Sequence, residues 1–270
     1  MPLSKPLDIL RDYGLLKAKE LGEHSLDNAL DLASGSLPIV ALLQEPCNLA
    51  DTVPFDTLVY GDRSARKGSP EYHGSPTPQE IEYHVKSVPI AEYDLRDICI
   101  FDLNPLLSSN VQSRLPTQKK ASGLRLAQST TWKMIKAEPP TVLLVLTTRA
   151  GRSDIPGLRR FRCSLRSAGT MKKIDICGHE CLVIYGFHPS VYLRKDYVFK
   201  EGWSQNDVSL AHDVLRFCFE QAFAYMEGCE VEALNGEMLR RWERLTQRKQ
   251  FSKDVSGVES CAEAFENLKI

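Results

Sequence analysis

Three polar side chains each come at the end of an apolar run, and their types could act together on a bound molecule. Asp62 directly follows DTLVYG, Asn104 ends ICIFDLN, and His188 follows CLVIYGF. A carboxylate can position and deprotonate an attacking water. An imidazole can donate to negative charge on a leaving group, and a carboxamide can read the hydrogen-bonding edge of a ligand. In an open α/β sheet, ligands bind beyond the carboxyl ends of the strands, so these three residues are candidates for a site if the fold brings them together.

The sequence around these residues predicts strands that alternate with helices. Four near-continuous runs of Val, Ile and Leu predict strands buried on both faces, as in parallel sheets. They lie at residues 56–61, 98–104, 141–148 and 181–187. Helical segments between the runs predict right-handed crossovers. We therefore expect an α/β three-layer sandwich with a central, mainly parallel four-stranded sheet.

Helical extensions are expected at both ends. The pattern predicts a helical N-terminal cap over 1–50, an α/β core over 51–230, and a C-terminal helix with a loose tail over 231–270. Within the cap, PIVALLQE could be a short strand instead. Before the fourth run, MKKIDICGHECLVIYG predicts a hairpin that would add an antiparallel edge to the sheet.

Composition excludes some classes of protein. No apolar run approaches the ~20 residues that span a bilayer, and the N-terminus lacks the pattern of a secretory signal. The eight cysteines form no CxxC pair, and CGHEC lacks the usual zinc-ligand spacing, so we expect free thiols, no metal and no organic cofactor. A nuclear or cytoplasmic monomer is the corresponding expectation.

The charge is unevenly distributed. The net charge is −1, yet the segment from Arg149 to Lys173 carries eight basic residues against the single acid Asp154. Such a segment could be a solvated loop, or it could face the phosphates of a nucleic acid.

Four short features resemble the uracil-DNA glycosylase superfamily. His188, Pro189 and Ser190 are similar to the start of its HPSP motif, and LNPLL, with Asn104, resembles its LLLN strand end. PEYHG, ending at Gly74, is similar to its DPYHG, and the basic segment follows the third run. Pro70 stands where the active members carry the water-activating aspartate.

The resemblance implies hydrolysis of the N-glycosidic bond of a flipped base in single- or double-stranded DNA. It implies catalytic roles for Asp62 and His188, with Glu71 as a second acid candidate, and no metal or cofactor. The implied substrate-binding residues are Tyr72, His73, Asn104, Ser190, Tyr192 and Arg194. Because of Pro70, a catalytically inactive module that binds nucleic acid or protein remains an alternative, as does an unrelated α/β protein.

Overall fold

A computed structural model of the chain describes residues 4–61, 74–89, 92–193, 198 and 202–247. These residues form an α/β fold around one five-stranded sheet, which confirms the expected class. The strands are β1 (Ile39–Leu43), β2 (Cys99–Asp102), β3 (Val142–Val145), β4 (Met171–Ile176) and β5 (His179–Tyr185). Their order across the sheet is β2-β1-β3-β5-β4.

All neighbouring strands run parallel except β4, which pairs antiparallel with β5. The predicted hairpin is therefore confirmed. Its turn places Cys177 and Gly178 at positive φ angles of 55° and 82°, and glycine adopts that conformation without steric cost.

Helices cover both faces of the sheet. They are α1 (Ser4–Lys17), α2 (Ser25–Ala33), α3 (Phe55–Tyr60), α4 (Pro76–Lys86), α5 (Ser109–Arg114), α6 (Thr117–Ala137), α7 (Pro156–Arg159), α8 (Ser190–Leu193), α9 (Gln205–Met226) and α10 (236–247). None of them is long and apolar enough to cross a bilayer.

Alternate residues of β1 point into two separate cores. Val40 and Leu42 pack with residues of α1 and α6 on one face. Ile39 and Ala41 pack with residues of α4, α9 and α10 on the other. All five residues of β1 are buried, which explains its continuous apolar sequence.

The first strand is not where the sequence pattern predicted it. Residues 56–61 fall on the short helix α3 and its C-terminal Gly61, whereas the sheet begins with β1, inside the segment expected to be a helical cap. A short apolar run fits either a strand or one helical turn, so periodicity cannot decide between them. Here Leu58 and Val59 are buried on one side of α3, while Phe55 and Tyr60 are only partly buried.

Strand order reverses at β1. The chain passes from β1 to β2 on one side and then returns to β3 on the other. Loops that leave β1 and β3 therefore diverge, and a crevice opens between them at the carboxyl edge of the sheet. This is the expected place for a ligand in an open α/β sheet.

Candidate active site

A cavity of about 1290 Å³ occupies this carboxyl edge. We call it the crevice. Residues just beyond four of the strands line it, with Glu45 after β1, Asp102 at the end of β2, Thr147 after β3 and His188 after β5. The parallel register places these strand ends side by side, so side chains distant in sequence meet in one volume.

Glu45 is the acid that enters the crevice from the first strand. Its Oε1 accepts a hydrogen bond from Ser109 Oγ at 2.8 Å, and its Oε2 accepts from Gln112 Nε2 at 2.7 Å. Both donors belong to α5, which therefore fixes the orientation of the carboxylate. Each oxygen keeps a second lone pair for a water or a ligand.

Asp102 is the second acid of the crevice, and its surroundings favour the protonated form. The residue is partly exposed, but its Oδ1 is buried without a hydrogen-bond partner among the described residues. Burial is the larger cause and the negative charge of Glu45 the smaller one, and together they raise the pKa of Asp102 to about 7. A protonated carboxyl can donate a hydrogen bond, so near neutral pH Asp102 can serve as either donor or acceptor.

His188 is held as a neutral imidazole. Its Nδ1 accepts from the backbone N–H of Ser190 at 3.2 Å and lies 2.8 Å from Ser190 Oγ. The proton of the neutral ring is therefore assigned to Nε2, which becomes a donor. Burial lowers the pKa of His188 to about 4, although Glu45 opposes that effect.

Four arginines of the basic segment surround the crevice, and we call them the arginine rim. They are Arg149, Arg152, Arg162 and Arg166. All four are exposed and form no ion pair with the acids of the described residues. A cluster of unpaired guanidinium groups at the mouth of a cavity can bind anionic groups such as phosphates.

The other basic residues of the segment have partners elsewhere. Arg159 pairs with Asp154 at 3.7 Å, and Lys173 pairs with Glu180 at 2.8 Å. Arg160 donates to the backbone oxygen of Asp175 at 3.0 Å. The segment is therefore divided between the crevice and the β4–β5 hairpin.

Two cysteines line the crevice, but both are held as thiols. Burial raises the pKa of Cys163 to about 12, and its Sγ lies 3.0 Å from the backbone oxygen of Thr147. Burial also raises the pKa of Cys47, and a hydrogen bond with Ser75 partly offsets this increase. A thiol is a poor nucleophile, so thiolate catalysis does not fit this crevice.

The structure brings two of the sequence-predicted residues, His188 and Ser190, into the crevice. Asn104 does not line it. Asn104 is buried behind β2, where its Oδ1 accepts from Gln128 Nε2 at 3.1 Å. Asp102, two residues earlier, takes the position at the strand end.

Tyr192 also points away from the crevice. Its hydroxyl donates to Glu80 at 2.8 Å and lies 2.9 Å from Nε2 of His84, between α4 and α9. A buried hydroxyl with two hydrogen-bond partners is not placed to contact a substrate in the crevice. The predicted residues Asp62, Glu71, Tyr72, His73 and Arg194 lie outside the described residues.

Sequence reasoning missed Glu45 and Asp102 for different reasons. Glu45 follows β1, which lies inside the predicted helical cap, so the sequence pattern does not mark the polar segment QEPCN as a strand end. Asp102 was within the correct run, but Asn104 matched the family motif better. The signal that could have identified Glu45 is the preceding run IVALL, which has the length and composition of a buried strand.

The fold and the crevice define an α/β protein with two carboxyl groups and a neutral imidazole at the point where strand order reverses. No protein-family model matches the chain, and no curated protein sequence matches it significantly. The functional class is therefore inferred from the crevice itself.

Proposed function

We propose that the protein is an N-glycosylase that hydrolyses the glycosidic bond of a base flipped out of DNA. The observation that carries the proposal is the meeting of Glu45, Asp102 and the neutral His188 in one crevice. The arginine rim supports an anionic substrate, because its guanidinium groups pair with no acid among the described residues and such groups bind phosphates well.

Glu45, His188 and Asp102 each have a separate role in the proposed hydrolysis. A water hydrogen-bonded to Glu45 attacks the anomeric carbon of the sugar, and the carboxylate takes the proton from that water. The bond from carbon to the base nitrogen breaks, and its electron pair leaves with the base. His188 donates from Nε2 to the negative charge that develops on the base, and a donor positioned in this way is worth a few kcal/mol.

Asp102 contacts the base in this proposal. A carboxyl that is protonated below about pH 7 offers both an O–H donor and a carbonyl acceptor to the edge of the base. Glu45 positions the water in this proposal, and Asp62 and Glu71, the acids that the sequence resemblance implied, lie outside the described residues.

A second candidate is a catalytically inactive module that binds nucleic acid in the same crevice. The hydrogen bonds that Ser109 and Gln112 donate to Glu45 favour it, because they occupy one lone pair on each carboxylate oxygen. Such a module would keep phosphate binding without hydrolysis.

The test of catalysis uses single- and double-stranded oligonucleotides that carry uracil or another deaminated base, with abasic sites detected by alkaline cleavage. We expect product with the wild type. Glu45→Gln should lower the single-turnover rate roughly 10²–10⁴-fold, and His188→Ala roughly 10²–10³-fold. His179→Ala, which removes an exposed histidine of the hairpin, is the matched control and should keep full activity.

Binding without abasic product from any of these substrates would select the inactive module. Equal rates for wild type, Glu45→Gln and His188→Ala would contradict the assigned chemistry.

The arginine rim is tested separately by the salt dependence of oligonucleotide binding. Because each neutralised phosphate adds roughly 0.7–0.9 to the slope of log affinity against log salt, Arg149→Ala with Arg162→Ala should flatten that slope by roughly 1.5. The matched control is Arg159→Ala with Arg160→Ala, because neither residue lines the crevice, Arg159 pairs with Asp154, and Arg160 donates to the backbone oxygen of Asp175. Similar slopes for the two double variants would remove the phosphate-binding role of the rim.

A further inference from the structure

Outside the crevice, three potential metal ligands converge between α4 and α9. Glu80 and His84 lie one turn apart on α4, which places them on the same helix face, and His212 faces them from α9. One ligand atom from each of the three lies within 4.8 Å of the others. We propose that Glu80, His84 and His212 bind a Zn²⁺ ion.

The distances suit ligands of one ion better than direct ion pairs. Glu80 Oε1 lies 3.3 Å from Nε2 of His84 and 3.5 Å from Nε2 of His212. A charge-assisted hydrogen bond from imidazolium to carboxylate is shorter, at roughly 2.7–2.9 Å. Tetrahedral ligands with bonds of roughly 2.0–2.1 Å stand about 3.3 Å apart, so the two distances from Glu80 match those between neighbouring ligands of a zinc ion.

The types of ligand select among metals. Two imidazole nitrogens and one carboxylate oxygen suit Zn²⁺, whereas Mg²⁺ and Ca²⁺ prefer sites made of oxygen alone. The positive ion would also compensate the charge of Glu80, whose carboxylate is mostly buried, with only 17% of the side chain exposed.

The cluster has both a supporting group and an approach for the ion. Tyr192 donates to Glu80 at 2.8 Å, as outer-shell groups that orient metal ligands do. His84 is fully buried, but His212 and Glu80 line a cleft of about 720 Å³ together with Tyr83 and Gln205. The cleft leaves room for a water as the fourth ligand.

Zinc at this site would also influence the crevice. Tyr192 belongs to α8, which begins at Ser190, the residue that orients His188. An ion held by α4 and α9 would therefore fix α8 through Tyr192. The metal site itself does not depend on the proposed glycosylase activity.

Metal binding is tested on the full chain after removal of metal with a chelator. Zn²⁺ is titrated in competition with a chromogenic chelator, and Co²⁺ is added separately to record its visible absorption, which is strong in four-coordinate sites. We expect one equivalent of Zn²⁺ and the four-coordinate Co²⁺ spectrum. His212→Ala and the isosteric Glu80→Gln should each weaken binding at least about 100-fold, because even outer-shell changes cost roughly 10–100-fold.

Two further variants separate this site from other metal-binding groups. Tyr192→Phe should weaken binding about tenfold, as loss of an outer-shell partner does. His179→Ala removes the histidine of CGHEC and should leave binding unchanged. The proposal fails if the wild type takes up no stoichiometric Zn²⁺, if His212→Ala and Glu80→Gln bind as tightly as wild type, or if His179→Ala alone abolishes binding.

Discussion

Replacing Asp102 with asparagine should change how the stability of the protein depends on pH. In the folded protein burial raises the pKa of Asp102 from its ordinary 3.8 to about 7. At any pH between these values, the unfolded chain has released this proton while the folded chain still holds it. Folding stability therefore falls as pH rises through this range and levels off above about 7.

The magnitude follows from the width of the range. Each pH unit over which only the folded chain holds the proton costs ~1.4 kcal/mol, so between about pH 5 and pH 7 the wild type loses up to about 3 kcal/mol. Solvent in the crevice screens the partly exposed residue, which reduces the expected loss to roughly 1.5–2.5 kcal/mol. Asp102→Asn has no proton to lose and should not show this component.

The assay is urea denaturation of wild type and Asp102→Asn at about pH 5, 6, 7 and 8, compared as free energies of unfolding. Asp12→Asn, which changes an exposed carboxylate of α1, is the control for the loss of one negative charge. We expect the difference in stability between Asp102→Asn and wild type to increase with pH, and that for Asp12→Asn to remain nearly constant. Parallel profiles for wild type and Asp102→Asn would refute the argument, because they would mean that Asp102 ionises at an ordinary pH.

Two other predictions follow from the crevice and its support. If Asp102 must be protonated, the single-turnover rate should fall about tenfold per pH unit above about pH 7, while Asp102→Asn should keep its rate at pH 8. A wild-type rate that rises steadily through pH 8 would contradict the role given to Asp102. Phe187 is fully buried and stacks on Trp242 with ring centroids 5.0 Å apart, so Phe187→Ala should lower the free energy of unfolding by about 3–5 kcal/mol, measured by urea denaturation. A loss below about 1 kcal/mol would show that α10 does not support the end of β5.

The sequence alone was sufficient to predict the class of fold and two of the residues that line the crevice. Runs such as TVLLVLTT and CLVIYGF are apolar on both faces because their strands lie between two layers of helices, so their composition identifies buried parallel strands. His188 was predicted because a strand end is a local feature and the ends of parallel strands share one edge, and Ser190 was predicted from the resemblance of its HPS motif. The hairpin was predicted from its Gly178 turn.

Only the tertiary structure decided which neighbouring residue faces the crevice and which short apolar run joins the sheet. Residues 56–61 and β1 are both short apolar segments. Only β1 is a strand, because it pairs with β2 and β3, whereas residues 56–60 are helical. Asp102 and Asn104 differ by two positions, yet one ends at the crevice and the other is held by Gln128 of α6. Glu80, His84 and His212 converge because α4 and α9 pack on the same face of the sheet. Such convergence depends on contacts between distant segments, which local sequence patterns do not encode.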